Sequence, residues 1–258
     1  MFPEIEEPIV KLIESKGFSE VNKVGKNFSY SCEKEGMPYI VKLGFLLDED
    51  GLRVARLKNE VAAVTALWEL FPDGETKTFT LPPGPDDIFD EETELGKVYG
   101  FSRFYADGSI LAEELNHGSE KVDCWIEKFA QMSKEIDSLP ELKLPNSERD
   151  KQKKYEDEFA KYITERPIVR GTSHGNFTPE HILLNDIGKP YLVSYSMMTQ
   201  QGPRFWDIAC MYTWLSVDLN DSDSAKKFFE SSTDKLDVKQ IEYIRHLSEY
   251  RQASLSDK

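Results

Sequence analysis

Basic residues are the scarce component of this chain: 32 lysines and arginines stand against 47 aspartates and glutamates, a formal net charge of -15. So acidic a protein repels polyanions and shows no basic footprint, which excludes nucleic acid as a partner and requires any anionic ligand to be held by a local positive site. No run of about 18 apolar residues is present, so no membrane-spanning helix is expected and the protein reads as soluble. The opening residues MFPEIEEPIV carry three glutamates where an export signal would carry lysines, and the expected location is the cytoplasm. Cysteine is sparse as well. Cys32, Cys124 and Cys210 are far apart and odd in number, which excludes a disulfide framework or thiolate metal site and reads as three buried small hydrophobes in a reducing compartment. Internal repeats and low-complexity linkers are also missing. The 258 residues therefore suit one large domain or two modest lobes, not separate modules.

What is present is a change of periodicity along the chain. Residues 3–16 predict a short amphipathic helix, with Ile5, Ile9, Leu12 and Ile13 on one side and Gly17 closing it. From Val21 to Gly44, short β-prone runs separated by glycine and lysine turns predict an antiparallel meander, with a hairpin at Glu35-Gly36. Between Arg53 and Phe71 the apolar residues Val54, Leu57, Val61, Val64, Trp68 and Phe71 recur at helical spacing. The Pro/Gly/acid-rich segment 80–96 reads as a loop, and the stretch after it as an aromatic strand ending at Asp107-Gly108.

Beyond that turn the pattern is mostly helical. Helices are expected at 119–139, stopped by Pro140, within the charged stretch 146–166, and from Phe205 to the end in three pieces. The runs 182–184 and 191–195 read as a small hairpin around a turn at 185–188. The expected architecture is α+β and bilobal: residues 1–104 form a sheet lobe with the 53–71 helix, and residues 105–258 form a helical lobe.

Two ionisable residues stand where chemistry could use them. Lys42 lies in the strand YIVKLG, where alternate side chains share a face, so it reaches a phosphate only if that face lines a cleft. Glu60 flanks the apolar stripe of the 53–71 helix, close enough to it to turn inward towards Lys42. Each has a plain alternative, a solvated lysine and a boundary glutamate.

The segment GTSHGNFTPEHILLNDIGKPYLVSYSMMTQQGPRFWDIA, residues 171–209, resembles the catalytic core of the aminoglycoside phosphotransferase and choline kinase-like family. His174, Gly175, Pro179, Ile182, Leu183, Gly202, Pro203, Asp207 and Ala209 match the family's order and spacing. The resemblance implies a protein-kinase-like fold and an ATP-dependent phosphotransferase ancestry. It further implies a nucleotide cleft in which a Lys42–Glu60 ion pair positions the phosphates and the backbone of Tyr99 to Phe104, Phe101 and Ser102 included, forms the hinge. His174 would support the catalytic loop, and Asp207 would cap or brace it.

The departures from the family pattern carry as much information. The catalytic aspartate falls on Asn176, whose amide is no base near neutral pH. The metal-binding asparagine falls on His181 and the second metal ligand on Ser194. Magnesium prefers hard oxygen ligands with a carboxylate among them, so little Mg²⁺ affinity is expected. No Asp or Glu occurs from Ile187 to Trp206 to take their place.

Phosphoryl transfer rests on positioning and charge neutralisation, so losing the base and metal ligands together disables it. The expected protein is a pseudokinase with a binding or regulatory role, for which ATP, another nucleotide, a small molecule or a protein partner are the candidate ligands. Two alternatives stay open: an active small-molecule phosphotransferase with an altered constellation in which His181 is base or ligand, and an interaction module whose cleft is filled by Phe28 and Tyr30, where only Gly25 remains of a phosphate-covering loop.

Overall fold

The computed structural model describes residues 3–24, 28–45, 52–94, 96–106, 108–116, 119–140, 142, 144, 169–184 and 189–256. The expected charged helix at 146–166, the turn at 185–188 and Gly25 lie outside these described residues.

Helix α1 (Pro3–Ser15) is amphipathic and buries Ile9 and Ile13, and Gly17, at φ 86°, ends it. The strands that follow are β1 (Ser19–Lys23), β2 (Ser29–Lys34) and β3 (Met37–Phe45). Lys34 pairs with Met37, leaving a two-residue turn in which Glu35 and Gly36 both take positive φ, 55° and 75°. Such a left-handed pair matches the twist of the flanking strands.

Helix α2 (Leu52–Leu70), β4 (Ile88–Thr93) and β5 (Gly96–Phe104) complete this half of the chain. The sheet is antiparallel in the order β1-β2-β3-β5-β4. Strand β4 corrects the expectation of an uninterrupted loop at 80–96. It is an edge strand that buries Phe89 and presents Asp90 and Glu92 to solvent, and such charge disguises a strand while discouraging edge-to-edge association.

The two faces of the sheet have different partners. Ile9 and Ile13 of α1 pack with Tyr39, Val41, Leu43 and Val98 on one face. On the other, Val54 and Leu57 of α2 pack with Tyr99 and Phe101. The far end of α2 leaves the sheet: Val64 and Leu67 join the large core of the helical half. A single helix thus serves two cores, which explains an apolar surface broader than one stripe.

After β6 (Ser109–Ile110) come α3 (Leu111–Leu115) and α4 (Ser119–Asp137), then β7 (Arg170–Ser173), β8 (Ile182–Leu184), β9 (Tyr191–Leu192) and β10 (Thr199–Pro203). The chain closes with α5 (Trp206–Thr213), a π-helical turn at Trp214–Asp218, α6 (Ser222–Thr233) and α7 (Val238–Ser256). Strands β8 and β9 form the expected hairpin, extended by β6 into three strands. A second ribbon, β7 with β10, was not expected.

Cys32 and Cys210 are buried, but Cys124 is exposed on α4 beside the equally exposed Asp123. The reading of three buried thiols therefore fails at Cys124, which lies on the solvent side of an amphipathic helix.

Candidate functional site

Lys42 is on the α2-facing side of the sheet. Its register partner on β5 is Phe101, and Ile40 opposes Arg103, so Lys42, Phe101 and Arg103 share one face. Lys42 Nζ lies 2.7 Å from Glu60 Oε1, with the glutamate side chain only 2% exposed and the lysine 15%. Arg103 Nη1 stands 3.5 Å from the same oxygen and has no hydrogen-bond partner of its own. Glu60 is thus a buried anion between two cations. Burial works against its ionised form, and the charges of Lys42 and Arg103 overcome it, holding the carboxyl below its ordinary range. Burial lowers Lys42, a shift Glu60 partly opposes.

Phe101 is buried beneath this pair, its ring centroid 5.9 Å from Lys42 Nζ. Ser102 faces the other way and is fully buried. Its backbone N–H donates to Asp87 O and its carbonyl accepts from Asp86 N–H, both at 2.9 Å, and its hydroxyl accepts from Asp87 N–H at 3.1 Å.

The loop after β7 carries the second half of the site. Asp207, in the first turn of α5, accepts from the backbone N–H of His174 at 2.6 Å and of Gly175 at 3.0 Å. Trp206 Nε1–H donates to Gly175 O at 3.0 Å. Gly175 has φ 86°, and a Cβ there would lie 2.2 Å from Met197 O, so no other residue fits. Burial pushes the Asp207 carboxyl up to about 7, against the two N–H donors and Arg251, which pull it down.

His174 is fully buried, and its Nε2–H donates to Val193 O at 3.0 Å while Nδ1 is unpartnered. Burial depresses it to about 3, so it is a neutral imidazole at ordinary pH. Its edge meets the buried Tyr195 ring at 5.0 Å.

Asn176 is half-buried and tied on both sides. Its Nδ2–H points at the His181 imidazole, 3.4 Å from Nε2, and its Oδ1 accepts from Arg251 Nη2 of α7 at 3.3 Å. Thr178 Oγ1 is 3.1 Å from His181 Nδ1. Burial, with the Lys42 ammonium nearby, depresses His181 to about 4, so it too is neutral. Ser194 adopts a left-handed backbone, φ 70°, as does Phe205 at 65°. These sparsely populated conformations flank the loop at both of its supports.

The geometry therefore brings Lys42, Glu60, Asn176, His181 and His174 into one neighbourhood, braced by Asp207, and turns Ser102 away from it. Three contributors escaped the sequence reading. Arg103 was legible in principle, as a charge on the buried period-two face of β5. Asn59, one residue before Glu60, is buried and donates to Met198 O at 2.8 Å and Ser196 O at 3.2 Å, fastening α2 to the segment after Ser194. Arg251 had no local signal, since it lies 75 residues from Asn176.

The magnesium ion that the resemblance implies does not fit these residues. Asn176, His181 and Ser194 offer an amide, an imidazole and a hydroxyl, with the cations Lys42 and Arg251 alongside. Among the described residues no group of three His, Cys, Asp or Glu could hold a metal. Magnesium wants carboxylate oxygen and octahedral geometry.

No family model matches the sequence, and no curated protein matches it. Solved structures do match. The aminoglycoside-3'-phosphotransferase of type VIII superposes with TM-score 0.63 at 13% identity, covering 96% of this chain and all of its own (100%). The aminoglycoside phosphotransferase APH(4)-Ia gives 0.62 at 12%, covering 94% and 88%. The GDP and kanamycin complex of APH(2")-IIia gives 0.61 at 13%, covering 97% and 90%. The chain has the bilobal kinase-like fold of the aminoglycoside phosphotransferases along nearly its whole length. No helix among the described residues is long and apolar enough to cross a membrane.

Proposed function

We propose that this protein is a phosphotransferase-fold binding protein that retains a ligand cleft between its two halves and does not transfer phosphoryl groups. One observation carries the reading: Asn176, at the position of the catalytic aspartate, is an amide engaged by Arg251 and His181. An amide here does not accept the proton of an attacking hydroxyl, and its Oδ1, already held by the Arg251 cation, makes a poor ligand for a metal ion. Neutral His181 has a free ring nitrogen only by giving up Thr178 or Asn176.

What supports a retained cleft is the cost of keeping Lys42, Glu60 and Arg103 buried. An ion cluster of this kind is seldom more stable than an apolar substitute, so its persistence fits a ligand-binding task. Structural neighbours include complexes with GDP or ADP, and some of these also hold an aminoglycoside, so a nucleotide is the first ligand to test.

The test is mass spectrometry of kanamycin, hygromycin B and a panel of hydroxyl and amine compounds after incubation with the protein, ATP and either Mg²⁺ or Mn²⁺. The expected outcome is unmodified substrate throughout. Phosphorylated product that vanishes in Lys42→Met would overturn the reading and establish an active enzyme with an altered constellation.

A further inference from the structure

The proposed cleft gathers cations in a chain that is acidic overall. Two sets of contacts make up one cluster around His181, on which the charges of Lys42 and Arg251 both act: Arg251 to Asn176 at 3.3 Å and Asn176 to His181 at 3.4 Å in the helical half, and Lys42 to Glu60 at 2.7 Å, with Arg103 3.5 Å from the same carboxylate, in the sheet half. Of its ionisable members, Lys42, Arg103 and Arg251 are cations and Glu60 is the one anion. His174 and His181 are neutral, as their burial dictates. Asp207 is close by; its oxygens accept from the N–H groups of His174 and Gly175, and the charge of Arg251 bears on its carboxyl. Arg251 has no carboxylate partner among the described residues; it touches Asn176 Oδ1 and lies over the Trp206 ring at 5.6 Å, with Nε unpartnered.

Lys42, Asn176, His181 and Arg251 all keep part of their surface open. In a chain of net charge -15, three cations gathered against Glu60 and the neighbouring Asp207 are a local exception. The donors at hand are an ammonium, a guanidinium fork and an amide N–H, the set that suits phosphate oxygens.

We infer that this cluster binds the phosphate groups of a polyphosphate anion directly, with Lys42 and Arg251 standing where a divalent metal would otherwise neutralise charge. The inference rests on the reading of the cleft as a binding site and adds to it a ligand chemistry and an independence from metal. It also gives magnesium a sign. A metal chelated to the ligand removes the negative charge that Lys42 and Arg251 recognise, so magnesium weakens binding.

The experiment is calorimetric titration of the full chain with ADP and, separately, with inorganic tripolyphosphate, each in EDTA and in excess Mg²⁺. Saturable binding in EDTA, weakened several-fold by magnesium, is expected. Arg251→Gln should lose about tenfold in affinity, the scale of one charge-assisted hydrogen bond, and Arg251→Lys should keep part of it. ADP binding tighter than tripolyphosphate supports a nucleotide ligand, and the reverse supports a free polyphosphate; both uphold the inference.

Binding that appears only with magnesium overturns the inference and leaves the non-transferring binding protein intact. Absence of binding to both probes overturns it as well. Phosphoryl transfer in the mass-spectrometric assay overturns the functional reading instead, so the two failures are distinguishable. The comparison of EDTA with magnesium uses the unaltered protein, so it decides even if Arg251→Gln fails to fold.

Discussion

The two halves of the proposed cleft are built from different kinds of residue. On the sheet side, Lys42 and Glu60 form a 2.7 Å ion pair on adjoining elements, the arrangement that in protein kinases places a lysine on nucleotide phosphates. On the loop side the scaffold is equally well built, with Asp207 gripping two backbone N–H groups and Gly175 wedged against Met197. The positions that the resemblance aligns with reactive residues, however, hold Asn176, His181 and Ser194. Support and reaction are therefore separable within one loop. Residues that fix the backbone are required by the fold itself, since removing them orphans buried groups, whereas half-buried side chains such as Asn176 carry less of that load.

The largest test of this contrast is Glu60→Gln. The carboxylate is 2% exposed and answers both Lys42 and Arg103, so its loss leaves two cations, one of them deeply buried, without a counter-charge. A destabilisation of about 3–5 kcal/mol in urea unfolding is expected, the range for breaking a buried pair from one side. A cost under about 1 kcal/mol, within the scatter of surface substitutions, would mean the cluster is hydrated and the sheet side is as relaxed as the loop side.

Asp207→Ala sharpens the loop side. It strips two buried backbone N–H groups of their acceptor, and each orphaned group costs roughly 1–3 kcal/mol, so a loss of about 2–6 kcal/mol is expected. Asn176→Ala, which orphans only half-buried groups, should cost about 1 kcal/mol or less. If the two losses were equal, the division between supporting and reactive positions would fail.

How much of this was legible in the sequence follows from range. Lys42 and Glu60 each sit on a strongly periodic element, so their faces could be read before their contact was known. His174, Gly175 and Asp207 could be read because their order and spacing are those of a loop whose backbone geometry admits few substitutes. Strand β4 was hidden by Asp90 and Glu92, edge charges that look like a loop. The β7–β10 ribbon was hidden because Arg170–Ser173 and Thr199–Pro203 alternate nothing apolar. Arg251 was hidden altogether: its role arises from α7 packing back on α5, and helix propensity says nothing about which residue meets Asn176.

The smallest expected effect tests whether the loop is as dry as its packing indicates. His174 has a folded value near 3 and an ordinary value of 6.5. As pH falls below 6.5, the unfolded chain takes up a proton that the folded chain refuses, so the contribution of neutral His174 to stability is present at pH 7 and declines towards pH 3. Asp207 works in the opposite sense. Its folded value near 7 lies above the ordinary 3.8, so the folded chain takes up its proton first and gains stability as pH falls from 7 towards 4. Comparing His174→Gln with the unaltered protein cancels Asp207 and every other shared group, provided its own environment is unchanged. The stability difference between the two should shrink by about 1.4 kcal/mol per pH unit between pH 6 and pH 4, one proton's worth of linkage. A difference that stays constant over that range would mean that His174 charges in the folded state. The loop would then be wet enough to accommodate charge, and the neutral imidazoles that leave Lys42 and Arg251 as its cations would have to be reconsidered.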